Sequence, residues 1–191
     1  VAFDGVFRNS IVWVNGHYLG TEESGYNSFE YDISDVLNYG GDNIVAVRVD
    51  ATMEEGWFYE GAGIYRHVWL TKTNPVHVVS NGSFITSEVK GNNAIVTAKT
   101  EISNESFNAR SVDILQTIVD ADGKVVTTAK LSNIQIPSFE KKEISSSLQV
   151  DNAKLWDLES HYLYKIITTI VEKGNELDNY ETVFGIRTIR S

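Results

Sequence analysis

Retaining cleavage of a glycosidic bond takes two carboxyl groups about 5–5.5 Å apart, one to protonate the leaving oxygen and one to attack carbon. The adjacent glutamates Glu54 and Glu55 offer such a pair. On an extended backbone, however, neighbouring side chains point to opposite faces, so the two cannot address one bond unless a turn intervenes. A solvated acidic loop is the simpler expectation. Directly after them come Trp57, Phe58, Tyr59 and Glu60, then Gly61-Ala62-Gly63. Bulky rings thus sit beside the most permissive backbone in the chain.

Elsewhere the chemistry-bearing patterns dissolve on inspection. Asp120 and Asp122 occupy the first and third places of a calcium loop, but its fifth place is Lys124 and its twelfth is Leu131, where a bidentate glutamate belongs. A hairpin turn is expected instead. Asn104-Glu105 and Asn175-Glu176 look like the asparagine-glutamate dipeptide of many glycosidases, yet both fall in polar, turn-like segments and are set aside. Asn81 and Asn104 head acceptor triplets for glycosylation, a pattern common by chance, to which no function is attached. His17, His67, His77 and His161 lack metal-ligand spacing and are expected to be structural. No serine elbow, phosphate loop or zinc-protease helix is present. No metal or cofactor is expected, and no complete catalytic set.

The elements that must position these residues read as strands throughout the 191-residue chain, which makes the fold class all-β. Only "DISDVLNYG" (32–40) predicts a short helix, with Asp32 to cap it and Gly40 to close it. Asn15-Gly16 and Asp122-Gly123 each sit between alternating apolar runs and predict tight hairpins. Val45, Val47 and Val49 share one face of "NIVAVRVD", and Trp13 and Trp69 are expected in the core. A further strand is expected over 66–73. Near Pro75 large aromatics give way to evenly spaced strands at about 83–89, 94–103, 110–119, 124–131, 139–150, 162–173 and 180–190. Seven strands in that rhythm predict an immunoglobulin-like sandwich, and the expected division is 1–76 and 77–191.

Composition narrows the partners. Twenty-six acidic against sixteen basic residues leave a net charge of −10, which argues against nucleic acid or an anionic membrane surface as partner. No apolar run approaches the roughly 20 residues of a spanning helix. The absence of cysteine removes disulfides and thiolate zinc sites but leaves the compartment undetermined, with periplasmic or secreted favoured over cytoplasmic. The chain opens on "VAFDGVF" without methionine and reads as a piece of a longer one.

Six motifs in order, "FDGV" (3–6), "VWVNG" (12–16), "LG" (19–20), "GYNSFEYDIS" (25–34), "GDNIVAVRVD" (41–50) and "GAGIYRHVWL" (61–70), resemble the sugar-binding jelly-roll domain of glycoside hydrolase family two, the family of β-galactosidases, β-mannosidases and β-glucuronidases. "LWDLESHYLYKIITTI" (155–170) is similar to that family's "LW…P.LY" strand pair, with His161-Tyr162 where a proline usually stands, and "FGIRTIR" (184–190) to the segment leading into its catalytic barrel. The resemblance implies the second half of a jelly roll (1–76) followed by an immunoglobulin-like domain (77–191), with both catalytic glutamates in a barrel beyond Ser191. It implies that the loop before "GIYR" reaches the parent's active site, where Trp57, Phe58 and Tyr59 stack on sugar and Glu60 and Glu55 hold hydroxyls, with packing under a neighbouring domain as the plainer role for those rings. Arg66 is expected to hold a carboxylate across a domain interface.

The function implied is the non-catalytic part of a retaining glycosidase, most simply a β-galactosidase. Its partners would be a β-galactoside and the absent barrel. The alternatives are an autonomous carbohydrate-binding module and a structural or adhesive sandwich pair. A half jelly roll leaves edges and an apolar face uncovered, so a homo-oligomer or swapped dimer of the piece is also expected.

Overall fold

The computed structural model describes residues 1–52 and 61–188. The chain divides into two compact units, Val1–Lys72 and Thr73–Ser191. Strand dominates both, and the one helical element among the described residues is a single 3-10 turn, Ser34–Val36.

The first unit is built from short strands, β1 (Ala2–Phe3), β2 (Val6–Phe7), β3 (Ser10–Val14), β4 (His17–Glu22), β5 (Phe29–Glu30), β6 (Val45–Arg48), β7 (Gly63–Ile64) and β8 (Val68–Trp69). They pair antiparallel in the orders β4-β3-β6, β5-β1-β8 and β2-β7. The small core gathers Phe3, Val6 and Val12, with Leu19, Phe29, Tyr31, Val47 and Val49 packed against it. The Asn15-Gly16 hairpin forms with both residues at positive φ, 51° and 84°, the geometry that matches strand twist.

Three expectations fail here, each for a local reason. The helix over 32–40 is reduced to one turn because asparagines take its backbone: Asn43 Oδ1 accepts from Asn38 N at 2.7 Å, and its amide donates back to the Asn38 and Gly41 carbonyls. Side chains that bond nearby backbone compete with a helix. The strand over 66–73 shrinks to Val68–Trp69 because its partner β1 offers two residues only. Trp69 is 53% exposed, not core; its indole N–H donates to Asp4 Oδ2 at 3.0 Å and the His67 ring lies 5.1 Å from it. Trp13 is half-buried against Tyr18, and Ile44, Val45, Val68 and Leu70 are also exposed.

The second unit is a sandwich of long strands: β9 (Val76–Lys90), β10 (Asn93–Asn104), β11 (Arg110–Val119), β12 (Val125–Ile136), β13 (Glu140–Val150), β14 (Tyr164–Glu172) and β15 (Asn175–Phe184). The sheets run β13-β10-β9 and β12-β11-β14-β15, antiparallel throughout. Seven strands among the described residues match the sequence count, although the last stops at Phe184. Residues 185–188 leave the ladder and dock by other means: Trp156 N donates to the Ile186 carbonyl at 2.8 Å, Ile186 is fully buried, and Ser87 bonds both backbone groups of Arg187.

The core of this sandwich is split. One apolar cluster holds Val96, Ile118, Leu148, Tyr164 and Ile166, the other Val76, Ile102, Ile114, Ile136 and Ile170. Between them lies a polar level with one residue from each of four strands: Gln116 donates to Thr100 Oγ1 at 2.9 Å and to Thr168 Oγ1 at 3.5 Å, and accepts from Ser146 Oγ. All four are buried. At one end of the unit, fully buried Asn104 ties two loops together, its amide donating to the carbonyls of Asn108, Ile136 and Pro137 while its oxygen accepts from Ser106.

The turn over 157–160 is held by Asp157, whose Oδ1 accepts from Glu159 N at 2.9 Å and Ser160 N at 2.6 Å. The bonds from Ser160 and then Glu159 hold its carboxyl below the ordinary 3.8. A depressed folded value means the turn's support is complete above the unfolded value and is lost as pH falls through the folded one. Protection of the Glu159 and Ser160 amides, measured relative to an unstructured peptide at each pH, should therefore hold down to about pH 4 and fall below it; protection that is unchanged as the carboxyl is protonated would refute this.

Candidate functional site

Glu55, Trp57, Phe58, Tyr59 and Glu60, together with Glu54, lie outside the described residues. The two roots of their stretch are described, and one short segment holds both. On the way in, Asp50 N donates to the Arg8 carbonyl at 3.1 Å and Asn9 Nδ2 donates to the Asp50 carbonyl at 3.2 Å. The Thr52 hydroxyl, at 2.6 Å, and then its amide bond the Asp50 carboxylate, which together with Arg48 at 3.3 Å holds that carboxyl below its ordinary value. On the way out, Gly63 pairs with Phe7 and Ile64 with Val6. Gly63 sits at φ 115°, a conformation other residues rarely adopt.

The segment that holds both roots also lines a groove of about 350 Å³, formed by Phe7, Arg8, Glu23, Ser24, Gly25 and Tyr26. Its second wall is a turn fixed from several sides. Glu22 Oε1 accepts from Ser24 N at 3.0 Å, Ser24 Oγ accepts from Tyr26 N at 3.2 Å, and Tyr65 OH donates to the Gly25 carbonyl at 2.8 Å. Asn9 N reaches the Glu23 carbonyl at 3.4 Å, which joins the two walls. Gly25 is buried against the Phe7 ring, and any side chain there would run into it. The outcome is a rigid turn from which Tyr26, edge-on to Phe7 at 5.7 Å, presents its ring 60% exposed. Arg8 lies with its guanidinium carbon 5.6 Å from the Phe7 ring centre.

None of the groove residues was singled out from sequence, although a signal was there: Glu22-Glu23 is a second adjacent glutamate pair, placed inside the motif-bearing run "TEESGYNSF". The turn resolves what neighbours on one backbone can do. Glu22 spends its carboxylate on the turn and Glu23 lines the groove.

The remaining residues have structural work. Among the described residues Arg66 pairs with no carboxylate; its Nη1 donates to the Asp4 carbonyl at 3.4 Å, within its own unit. His67 lies 3.5 Å from Asp4 Oδ2 and stacks on Trp69. His77 bonds the Asn74 carbonyl and faces Glu105 at 3.8 Å, and His161 packs edge-on to Trp156. The first calcium-like aspartate is a turn: Asp120 Oδ1 accepts from Asp122 N and Lys124 N, and Gly123 takes φ 79°. A second groove, of about 400 Å³ and lined by that turn and Tyr162, has Asp120 bonded within the turn and the Tyr162 hydroxyl bonded to Ala121 N.

Comparison with known proteins bears on this arrangement. Residues 1–74 match the family model described as glycosyl hydrolases family 2, sugar binding domain, and residues 76–187 match glycosyl hydrolases family 2. The chain is 37% identical over 190 residues to the beta-galactosidase BoGH2A of Bacteroides ovatus, covering 98% of this chain and 22% of that protein. It is 30% identical to a beta-glucuronidase of Formosa agariphila, covering 98% and 21%. A solved beta-glucuronidase from glycoside hydrolase family 2 superposes with a TM-score of 0.93 at 29% identity, over 98% of this chain and 22% of that one. A family 2 member from Bacteroides cellulosilyticus does so with 0.93 at 31%, over 99% and 26%. The chain thus spans about a fifth of the length of the curated relatives it matches.

Proposed function

The chain belongs to glycosyl hydrolases family 2, and we propose that it is the non-catalytic portion of a retaining β-galactosidase, a scaffold that carries one loop to an active site built mainly on another domain. The observation that carries this reading is the rooting of residues 53–60. The described residues on either side of that stretch, Asp50 and Gly63-Ile64, are both held by Val6–Asn9 beside a groove with an exposed ring. Division of labour follows: the parent's two glutamates perform acid/base and nucleophilic chemistry, while the loop binds and orients sugar. Relatives named for galactosides and for glucuronides stand at comparable identity, 37% and 38% for the two most alike among those compared, so identity does not separate the two sugars and the galactoside is the reading put to the test below. The exposed apolar side chains Ile44, Val45, Val68, Trp69 and Leu70 support a missing half of the jelly roll as their cover in the parent.

The test is to extend the chain through the parent's remaining sequence and compare hydrolysis of nitrophenyl galactoside, mannoside and glucuronide with and without Trp57→Ala. The galactoside should be preferred, and the substitution should lower kcat/KM about tenfold, or about 1.4 kcal/mol. The 191-residue chain alone should hydrolyse none of them. An unchanged kcat/KM would remove the loop from the site, and a different preferred sugar would replace the galactosidase reading.

A further inference from the structure

We propose that Asn81 is a site of spontaneous covalent modification: the Gly82 amide nitrogen attacks its carboxamide, ammonia leaves, and aspartate or isoaspartate remains in β9. The inference is independent of what the parent protein hydrolyses.

Asparagine or aspartate followed by glycine is prone to this ring closure, because no Cβ hinders the attacking nitrogen. The chain has four such pairs, Asp4-Gly5, Asn15-Gly16, Asn81-Gly82 and Asp122-Gly123, and the structure separates them. The Asp4 carboxylate is held by the Trp69 indole at 3.0 Å, and Gly5 is buried. Asn15 is held at both ends of its carboxamide: Nδ2 donates to the Val36 carbonyl and to Asn43 Oδ1, each at 2.8 Å, and Oδ1 accepts from Ile44 N at 2.9 Å. Swinging that group onto the Gly16 nitrogen breaks all three bonds. At Asp122 the nitrogen that would attack, Gly123 N, donates to the Asp120 carbonyl at 3.0 Å, and a carboxylate offers a poorer leaving group than an amide.

Asn81 lacks such restraints on its side chain, which is exposed and whose carboxamide makes no hydrogen bond among the described residues. Its backbone is irregular as well. Asn81 takes φ 55°, and Ser83 pairs with Thr100 while Val78 pairs with Ile102, so Val79–Gly82 stand opposite Glu101 alone. A bulge of that kind can open without unzipping the ladder on either side. Tyr180 OH, which accepts from Asn81 N at 3.2 Å, ties it to β15.

The chemistry needs water alone. Gly82 N gives its proton to hydroxide and bonds Asn81 Cγ, the Cγ–Nδ2 bond breaks, and Nδ2 departs as ammonia with a proton drawn from water. Water then opens the five-membered imide at either carbonyl. One opening gives aspartate; the other routes the main chain through the side chain and lengthens it by a methylene group. Both add a carboxylate to the seam where Asp178 of β15 already holds Val78 N at 2.8 Å.

The experiment holds the full 191-residue chain at mildly alkaline pH for days and maps its peptides by mass, with an isoaspartate-specific methyltransferase as second readout. Residue 81 should gain about one mass unit as amide becomes acid, at least about tenfold faster than residue 15, and should be methylated before residues 4 and 122. The rate should rise with pH, since hydroxide takes the Gly82 proton. Asn81→Gln, which would have to close a six-membered ring, should keep its amide. Conversion of Asn15 within about twofold of Asn81, earlier methylation at residue 4 or 122, or an intact Asn81 after a synthetic peptide of the same stretch has converted would each overturn the site.

Discussion

Asn104→Ala should destabilise the second unit by about 3 kcal/mol and lower its midpoint temperature by roughly 10 °C or more. The side chain is fully buried and serves five polar groups: three carbonyls, of Asn108, Ile136 and Pro137, and the amide and hydroxyl of Ser106. Truncation leaves the Ile136 carbonyl facing a cavity with one fewer donor, and a buried unmet polar group costs more than the bond that met it contributed. Asn104→Asp should do no better, because it keeps the acceptor for Ser106 but turns the donor into a second acceptor aimed at carbonyls. Urea denaturation reads both. A loss below 1 kcal/mol for the alanine variant would mean that the loops hold each other without it.

Gln116→Leu should cost about 2–3 kcal/mol, and adding Thr100→Val, Ser146→Ala and Thr168→Val should return most of that stability. The glutamine alone touches all three hydroxyls, so removing it leaves them without their shared partner between two apolar clusters. Removing all four merges those clusters into one dry layer. The same denaturation series decides: stability of the quadruple variant at or below that of Gln116→Leu would show that the polar level contributes net stability. The expected recovery would show that it serves mainly to fix which residues face each other across the sheets.

The second unit was legible because long strands alternate strictly. In β10 the inward phase is Ala94, Val96, Ala98, Thr100, Ile102, and the same period runs through β11, β13 and β14. That phase even marks the polar level, since Thr100, Gln116, Ser146 and Thr168 are the polar intruders in otherwise apolar inward sets. Seven strands and the Asp122-Gly123 turn followed from it. The first unit was harder to read. Strands of two residues have no measurable period, so β1, β2, β5, β7 and β8 could be located only through motifs, and the expectation of a core Trp69 rested on its place in an alternating apolar run. The groove escaped for another reason. Its walls, Phe7-Arg8 and Glu23–Tyr26, are separated in sequence and meet through bonds from Asn9 and Tyr65, which no local pattern records.

The docking of the outgoing segment on the first strand of the second unit has a consequence for how this chain is made. Val78 N bonds Asp178, Asn81 N bonds Tyr180, and Ser87 clasps Arg187, three contacts that each span about a hundred residues. A ribosome adding about 5–20 residues per second delivers the partners roughly 5–20 s after the strand itself. During that interval β9 can pair with β10, but its other edge and the inner face of the hairpin stay open. The nascent sandwich therefore emerges as a half-structure with an open edge and an open apolar face until those partners arrive.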